Sequence, residues 1–132
     1  MKTFKLSIVI PDGEKFSGEA ESITVKTTGG DVQILAGHAD LLAALGTGRA
    51  KLILPEGKER LASASGGFIT VSGGEVSVVT TTFEFAEEID IKRAERAREN
   101  AERAIAAAKS ETEAKCAKAK LSRALARLSA AK

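Results

Sequence analysis

The chain has 132 residues, of which 43% are hydrophobic and 29% are charged, a composition typical of a soluble globular protein. Aromatic residues make up 4%, with no Trp or Tyr, so a surface that stacks nucleic-acid bases is not expected. The net charge of +2 is uneven, because residues 1–86 carry 8 basic and 10 acidic side chains whereas residues 87–132 carry 12 and 8. This length allows one β domain of roughly 85 residues and leaves the remainder as an appendage.

The first 86 residues predict short strands separated by turn residues. Alternating apolar residues begin the series at residues 4–10, and the Pro-Asp-Gly sequence that follows predicts a turn. Further strands are expected at residues 15–20, 23–25, 32–35, 49–54, 59–65, 68–71 and 76–82. Residues 37–42 stay open between a strand and a helical turn. Gly66 and Gly67 indicate a bulge or the close approach of another backbone. The pattern predicts an antiparallel β sandwich of about ten strands over residues 1–86.

Residues 87–132 lack Gly, Pro and aromatic residues and follow a helical period. Asp90 is expected to cap a first helix, with Ile89 and Ala94 as a hydrophobic staple. Ser110 and Glu113 form a capping-box pattern that predicts the start of a second helix. The pattern therefore predicts an α+β fold in which a two-helix antiparallel hairpin follows the sandwich. Because alanine buries little apolar surface, we expect this helical arm to adopt more than one arrangement.

No group of side chains in the sequence fits a catalytic or metal site. The only histidine, His38, has no recognisable orienting partner, which favours a structural or interface role. The only cysteine, Cys116, excludes an internal disulfide and a cysteine-based metal cluster and fits a reducing compartment. We therefore expect no enzymatic activity and no bound metal. No apolar run approaches the 18 or so residues of a membrane span.

The end of the chain is strongly basic, because no acidic residue follows Glu113. The basic residues of this segment are Lys115, Lys118, Lys120, Arg123, Arg127 and Lys132. Such a helix is expected to bind an acidic partner. The alternative is a basic-helix module that binds nucleic acid or anionic lipid, with an affinity that falls steeply with salt.

The junction between sandwich and helices admits two interpretations. An antiparallel hairpin would bring Arg123 and Arg127 back towards Glu84, Asp90 and Arg93. Guanidinium groups beside a helix N-terminus suit a polyphosphate ligand. In the simpler interpretation, Asp90 only caps the helix, Arg93 is solvated, and the others form surface ion pairs worth about 0–1 kcal/mol each. The residues alone favour the simpler interpretation.

Four segments, taken in order and spacing, resemble the epsilon subunits of F-type ATP synthase over nearly the whole chain. They are residues 9–13 (VIPDG), 34–42 (ILAGHADLL), 65–68 (SGGF) and 89–94 (IDIKRA). The resemblance implies a non-catalytic rotor subunit whose β sandwich contacts the gamma subunit and the c ring. It also implies C-terminal helices that fold down or extend between the alpha and beta subunits, where they restrain ATP hydrolysis. Its implied location is the cytoplasmic face of the bacterial membrane, reached through the complex.

The same resemblance implies residues for each role. ATP, as a regulatory ligand and not an obligatory cofactor, would be held by Glu84, Ile89, Asp90, Arg93, Ala94, Arg123 and Arg127. The rotor contact would involve Gly37, His38, Ala39, Leu41 and Leu42. The inhibitory contact with an acidic segment of the beta subunit would involve Lys118, Arg123 and Arg127. The chain departs from the family at Asn100, where some ATP-binding members carry a basic residue, and at Gln33 and Ala36, where the loop usually has Gly and Pro.

Overall fold

The computed structural model describes residues 2–131, which form ten strands followed by two helices. The strands are β1 (Phe4–Ile10), β2 (Gly13–Ala20), β3 (Ser22–Thr27), β4 (Gly30–Leu35), β5 (Leu41–Ala44), β6 (Gly48–Leu54), β7 (Lys58–Ser65), β8 (Phe68–Ser72), β9 (Glu75–Val79) and β10 (Thr82–Phe85). The helices are α1 (Ile91–Ala107) and α2 (Glu111–Ala131). Single 3-10 turns lie at Pro55–Gly57 and Ala86–Glu88.

The strands form two five-stranded sheets. The first sheet has the order β2-β1-β9-β8-β5, and the second has the order β10-β7-β6-β3-β4. All neighbouring strands are antiparallel except β1 and β9, which run parallel. The sandwich of about ten strands that the sequence predicts is therefore confirmed, with one parallel pair that the sequence pattern did not indicate.

Alternating residues of both sheets form one hydrophobic core. Its most deeply buried large side chains are Leu6, Ile8, Ile23, Val25, Ile34, Leu52, Ile69, Val78 and Phe83. Full burial of a side chain of this size contributes about 1.5–3 kcal/mol. The sandwich is thus held by ordinary apolar packing, and its outer faces are left for the helices and for other surfaces.

Gly67 lies where two backbone segments approach closely. It has a φ of +88°, and a Cβ atom at this position would lie 1.9 Å from the carbonyl oxygen of Val79. Only glycine fits such a position, because both the backbone conformation and the contact exclude a side chain. The close approach predicted from Gly66 and Gly67 is confirmed.

The sequence predicts one strand at residues 76–82, and this is wrong. β9 ends at Val79, and β10 begins three residues later in the opposite sheet. Thr80, which is 2% exposed, lies at the crossing. Its backbone N–H donates to the carbonyl of Val9 at 3.0 Å, and its hydroxyl donates to the carbonyl of Ser65 at 3.0 Å. Residues 80–82 are all threonine, a residue common in strands, so the composition did not reveal the crossing. The buried positions do change phase there, from Val76 and Val78 to Phe83 and Phe85.

The two helices form the predicted hairpin, connected by residues 108–110. The Ser110 hydroxyl accepts a hydrogen bond from the backbone N–H of Glu113 at 3.1 Å, as the capping box predicts. A capping box also predicts that the Glu113 carboxylate accepts from the backbone N–H of Ser110, but it accepts from the backbone N–H of Lys109 at 2.8 Å. α2 contacts α1 as well as β6 and β7, so it covers part of the second sheet. Its buried residues are Ala117, Ala124, Ala126, Leu128 and Ala130.

Candidate functional site

A cleft of about 430 Å³ lies where the sandwich meets both helices, and we call it the junction cleft. Its charged side chains are Asp12, Lys15, Glu84, Glu88, Asp90, Arg93 and Arg127. They come from the β1–β2 hairpin, β10, the turn before α1, the start of α1, and α2. Because α2 supplies Arg127, the cleft is complete only while α2 lies against the sandwich.

Asp90 sets the start of α1, as predicted. Its carboxylate accepts a hydrogen bond from the backbone N–H of Arg93 at 3.1 Å, and its carbonyl accepts from the N–H of Ala94 at 3.0 Å. Ile89 and Ala94 are 9% and 2% exposed, so apolar contacts fix both sides of the cap. A cap of this type contributes about 1 kcal/mol. It holds the backbone of Arg93 in place beside the cleft.

Two ion pairs cross the junction cleft. Arg127 donates from Nε to Oε1 of Glu84 at 2.6 Å, and both side chains are about one-third exposed. Lys15 donates from Nζ to Oε2 of Glu88 at 2.5 Å, while Oε1 of Glu88 accepts from the backbone N–H of Phe85 at 3.0 Å. The hydrogen bond from Lys15 holds the pKa of Glu88 below its ordinary value of 4.5, and it outweighs the opposite effect of desolvation.

A third ion pair lies just outside the cleft, between Arg60 and Glu87. The guanidinium carbon of Arg60 also lies 3.6 Å from the ring centroid of Phe85, which is a cation–π contact. A backbone hydrogen bond at Glu87, followed by the hydrogen bond from Arg60, lowers the pKa of this carboxyl. The turn that leads into α1 is therefore tied to the sandwich at two successive glutamates.

Most charges of the junction cleft are satisfied internally, and the exceptions are Arg93 and Asp12, whose carboxylate forms no ion pair with any of residues 2–131. Glu84 and Glu88 have cationic partners, and Asp90 caps α1. Arg93 forms no ion pair with any of residues 2–131. Its exposed guanidinium can therefore bind an anion without first losing a partner.

The structure gathers most of the residues predicted to hold ATP. Those lining the junction cleft are Glu84, Asp90, Arg93, Ala94 and Arg127. Ile89 is buried and does not line it. Arg123 lies with Asn100 in a separate cleft of about 350 Å³ between the helices, and Arg127 lines both clefts. Asn100 accepts a hydrogen bond from Nη2 of Arg103 at 2.6 Å.

The residues predicted for the rotor contact lie in and after the β4–β5 loop. Gly37 has a φ of +81°, which allows the sharp turn there, and Nδ1 of His38 lies 2.7 Å from the carbonyl oxygen of Ala39. β5 begins at Leu41, so the segment left open by the sequence contains a loop and then a strand, without a helical turn. Leu42 is 71% exposed and offers an apolar side chain to a partner.

The residues predicted for the inhibitory contact differ in exposure while the hairpin is folded. Lys118 is exposed on α2, and Arg123 is half-buried between the helices. Arg127 is paired with Glu84. In this arrangement, only Lys118 of these three residues is both exposed and outside the two clefts.

Sequence reasoning missed Lys15, Glu88 and the Arg60–Glu87 pair. The Lys15–Glu88 contact joins residues 73 positions apart, and the Arg60–Glu87 contact joins residues 27 positions apart. Local patterns carry no signal for such pairs. Glu88 alone had a local signal, because an acidic residue three positions after the end of a strand can accept a backbone hydrogen bond at a turn.

Comparison with known protein families matches both parts of the chain. The family described as "ATP synthase, Delta/Epsilon chain, beta-sandwich domain" matches residues 3–86. The family described as "ATP synthase, Delta/Epsilon chain, long alpha-helix domain" matches residues 87–132. Together these matches cover all but the first two residues.

Two similar bacterial proteins, both named ATP synthase epsilon chain, match this chain over nearly their full length. The ATP synthase epsilon chain of Shouchella clausii is 39% identical over 132 residues, covering 100% of this chain and 97% of that protein. The ATP synthase epsilon chain of Ruminococcus albus is 40% identical over 132 residues, covering 99% of this chain and 98% of that protein.

Among solved structures, a chain of the Euglena gracilis mitochondrial ATP synthase, in a structure of OSCP, F1 and c-ring, has a TM-score of 0.85. It is 27% identical, and the match covers 98% of this chain and 81% of that one. Neither helix within residues 2–131 is long and apolar enough to cross a membrane. The sandwich, the helical hairpin and these relatives lead to one assignment: the chain belongs to the ATP synthase delta/epsilon family, as an epsilon subunit, a non-catalytic component of the central stalk.

Proposed function

We propose that this subunit couples the gamma subunit to the c ring and restrains ATP hydrolysis through its helical arm, with ATP as a regulatory ligand of the junction cleft. The proposal rests on the fact that this cleft is formed jointly by the sandwich and the helical arm. Its lining comes from the sandwich, from α1 and from α2. A ligand that contacts all three parts stabilises the folded arm, because it binds that arrangement better than any other.

The contacts that hold the arm down are few and adjustable. α2 buries mainly alanines, and single ion pairs at Arg127, Lys15 and Arg60 connect the junction region. Alanine contributes little apolar burial, and partly exposed ion pairs contribute about 0–1 kcal/mol each. An arm held this way can leave the sandwich at modest cost. Arg123 and Arg127, which are partly buried in the folded arm, then join the exposed Lys118 in a basic face available to the acidic segment of a catalytic beta subunit.

The charge pattern of the junction cleft suits a nucleotide triphosphate. Arg93 is free to bind phosphate, and Arg127 reaches the same cleft when it exchanges Glu84 for the ligand. Asp90 and Glu84 are then placed to accept hydrogen bonds from ribose or adenine. Asn100 lies in the neighbouring cleft and brings no charge, so we expect weaker binding than a basic residue there would give.

Calorimetry with millimolar ATP tests the regulatory ligand. The full chain is expected to release heat with a saturable response, and Arg93→Ala is expected to lose at least about tenfold in affinity. Arg96→Ala is the matched control, because Arg96 is an exposed arginine of the same helix that lies outside the junction cleft. Absence of any heat of binding, or equal losses in both variants, would contradict the ATP site.

The proposed partners are the gamma subunit, the c ring, and the alpha and beta subunits. Exposed apolar side chains on the first sheet support a docking face, since Leu42, Phe68 and Val79 are 71%, 44% and 39% exposed. Phe68 pairs with Val79 across β8 and β9, so these two lie side by side.

A tagged full chain is expected to co-purify with gamma and c subunits. The double variant Leu42→Asp, Phe68→Asp is expected to lose both partners. Unchanged recovery would place the contact elsewhere. The family assignment favours this role over a module for nucleic acid or anionic lipid.

A further inference from the structure

We propose a second anion site, distinct from the junction cleft, that binds a phosphate group between the outer face of the second sheet and α2. A cleft of about 480 Å³ lies there, and we call it the sheet cleft. Its charged residues are Lys26, Asp31, Arg49 and Lys51, and α2 contributes Ser122 and Ser129. Three cations thus face one carboxylate, although residues 1–86 as a whole carry more acidic than basic side chains.

The cations of the sheet cleft are not equally engaged. Lys51 pairs with Glu59 at 3.3 Å, and both side chains are about half exposed. Lys26 and Arg49 form no ion pair with any of residues 2–131. Asp31 is opposite Lys26 in the β3–β4 register, yet no ion pair forms between them. Two unpaired cations in one concave site offer the charge-assisted contacts that a phosphate group needs.

Gly48 leaves the room that the side chain of Lys26 occupies. A Cβ atom on Gly48 would lie 2.8 Å from Cδ and 3.0 Å from Cβ of Lys26. The aliphatic part of Lys26 therefore lies across β6 at a point where any larger residue would displace it.

α2 links the site to the position of the arm, because the hydroxyls of Ser122 and Ser129 can donate to the same anion. A phosphate group that contacts both the sheet and α2 stabilises the folded arm by mass action. The site does not depend on the junction cleft, since the two clefts share no residue. The proposal of ATP in the junction cleft and the proposal of phosphate in the sheet cleft can therefore fail separately.

Another use of these cations is to complement the C-terminal end of α2, whose carbonyl groups attract positive charge. The two uses differ in their response to phosphate. If Lys26 and Arg49 only complement the helix, their loss loosens α2 equally with and without phosphate. If they bind phosphate, the anion slows amide exchange in α2 of the native chain and has no such effect after Lys26→Met.

The test is a titration of the full chain with inorganic phosphate, followed by backbone amide chemical shifts, with chloride keeping ionic strength constant. Two charge-assisted contacts predict saturable shifts in residues 24–26 and 47–51, which contribute nothing to the junction cleft, with a Kd of about 1 mM. Lys26→Met and Gly48→Ala are expected to weaken binding at least about tenfold, the second without any change of charge. Lys5→Met, on the first sheet, and Arg96→Ala, an exposed arginine of α1 outside both clefts, are expected to leave it unchanged.

Shifts that do not saturate, or a Kd that Lys26→Met leaves unchanged, would overturn the proposal. Loss of the phosphate response in Arg93→Ala would also overturn it, because the anion would then lie in the junction cleft. Adenosine monophosphate forms a second arm of the experiment. Tighter binding than phosphate, still dependent on Lys26, identifies a nucleoside phosphate as the ligand. Weaker binding of adenosine monophosphate than of phosphate, also dependent on Lys26, identifies free phosphate as the ligand.

Discussion

Removal of the Arg127–Glu84 ion pair should raise the fraction of molecules in which α2 leaves the sandwich. Nε of Arg127 lies 2.6 Å from Oε1 of Glu84, and the two side chains are 34% and 33% exposed. A hydrogen bond between charged groups contributes about 1.5–3 kcal/mol when buried, whereas an exposed ion pair contributes about 0–1 kcal/mol. The partial exposure of this pair places it near 1 kcal/mol. A change of about 1 kcal/mol raises the population of the opened arm roughly fivefold.

Amide hydrogen exchange of α2 measures this opening directly. Arg127→Gln and Glu84→Gln should each accelerate exchange in α2 about fivefold, and the double variant should add little to either single variant. Arg123→Gln is the control, since Arg123 forms no ion pair with the described residues. Additive effects of the two substitutions, or equal acceleration in the control, would refute the reasoning.

Two further predictions concern the junction and the core. The folded-state pKa of Glu88 is lowered, so its pair with Lys15 stabilises the fold fully above pH 4.5, and this stabilisation is lost as pH falls below that value. Glu88→Gln should therefore remove this part of the pH dependence of the urea midpoint. An unchanged pH profile of the midpoint would contradict the prediction. Gly67→Ala should lower the free energy of unfolding by about 2–4 kcal/mol, because its Cβ would clash with the backbone at Val79 in addition to an unfavourable φ. The control is Gly73→Ala, at a positive φ with open space around it, which should cost about 1 kcal/mol. Equal costs would contradict the close approach to Val79.

Most of the fold was predictable because local patterns specify it. Alternation specified β1 and most of the other strands, and Asp90 and Ser110 specified where the helices begin. The crossing at Thr80 escaped prediction, because threonine is common in strands and residues 80–82 therefore look like a continuation of β9, although the buried positions change phase between Val78 and Phe83. The parallel pairing of β1 with β9 escaped it as well, since strand direction is settled by topology and not by a local period.

The candidate site was predictable only in part, for a related reason. The resemblance named Arg93 and Arg127, and the structure brings both to one cleft. The residues alone could not assign Lys15 or Arg60, whose contacts depend on how distant strands pack. The separation of Arg123 from the junction cleft depends on the rotation of α2 about its axis, which periodicity defines too coarsely.

The central claim is that the helical arm restrains ATP hydrolysis by the complex. Its most direct test is the hydrolysis rate of a reconstituted complex that contains either the intact chain or a chain without residues 88–132. Co-purification with the gamma subunit establishes that both forms assemble. A higher rate without the arm is the predicted result, and equal rates in fully assembled complexes would contradict the account.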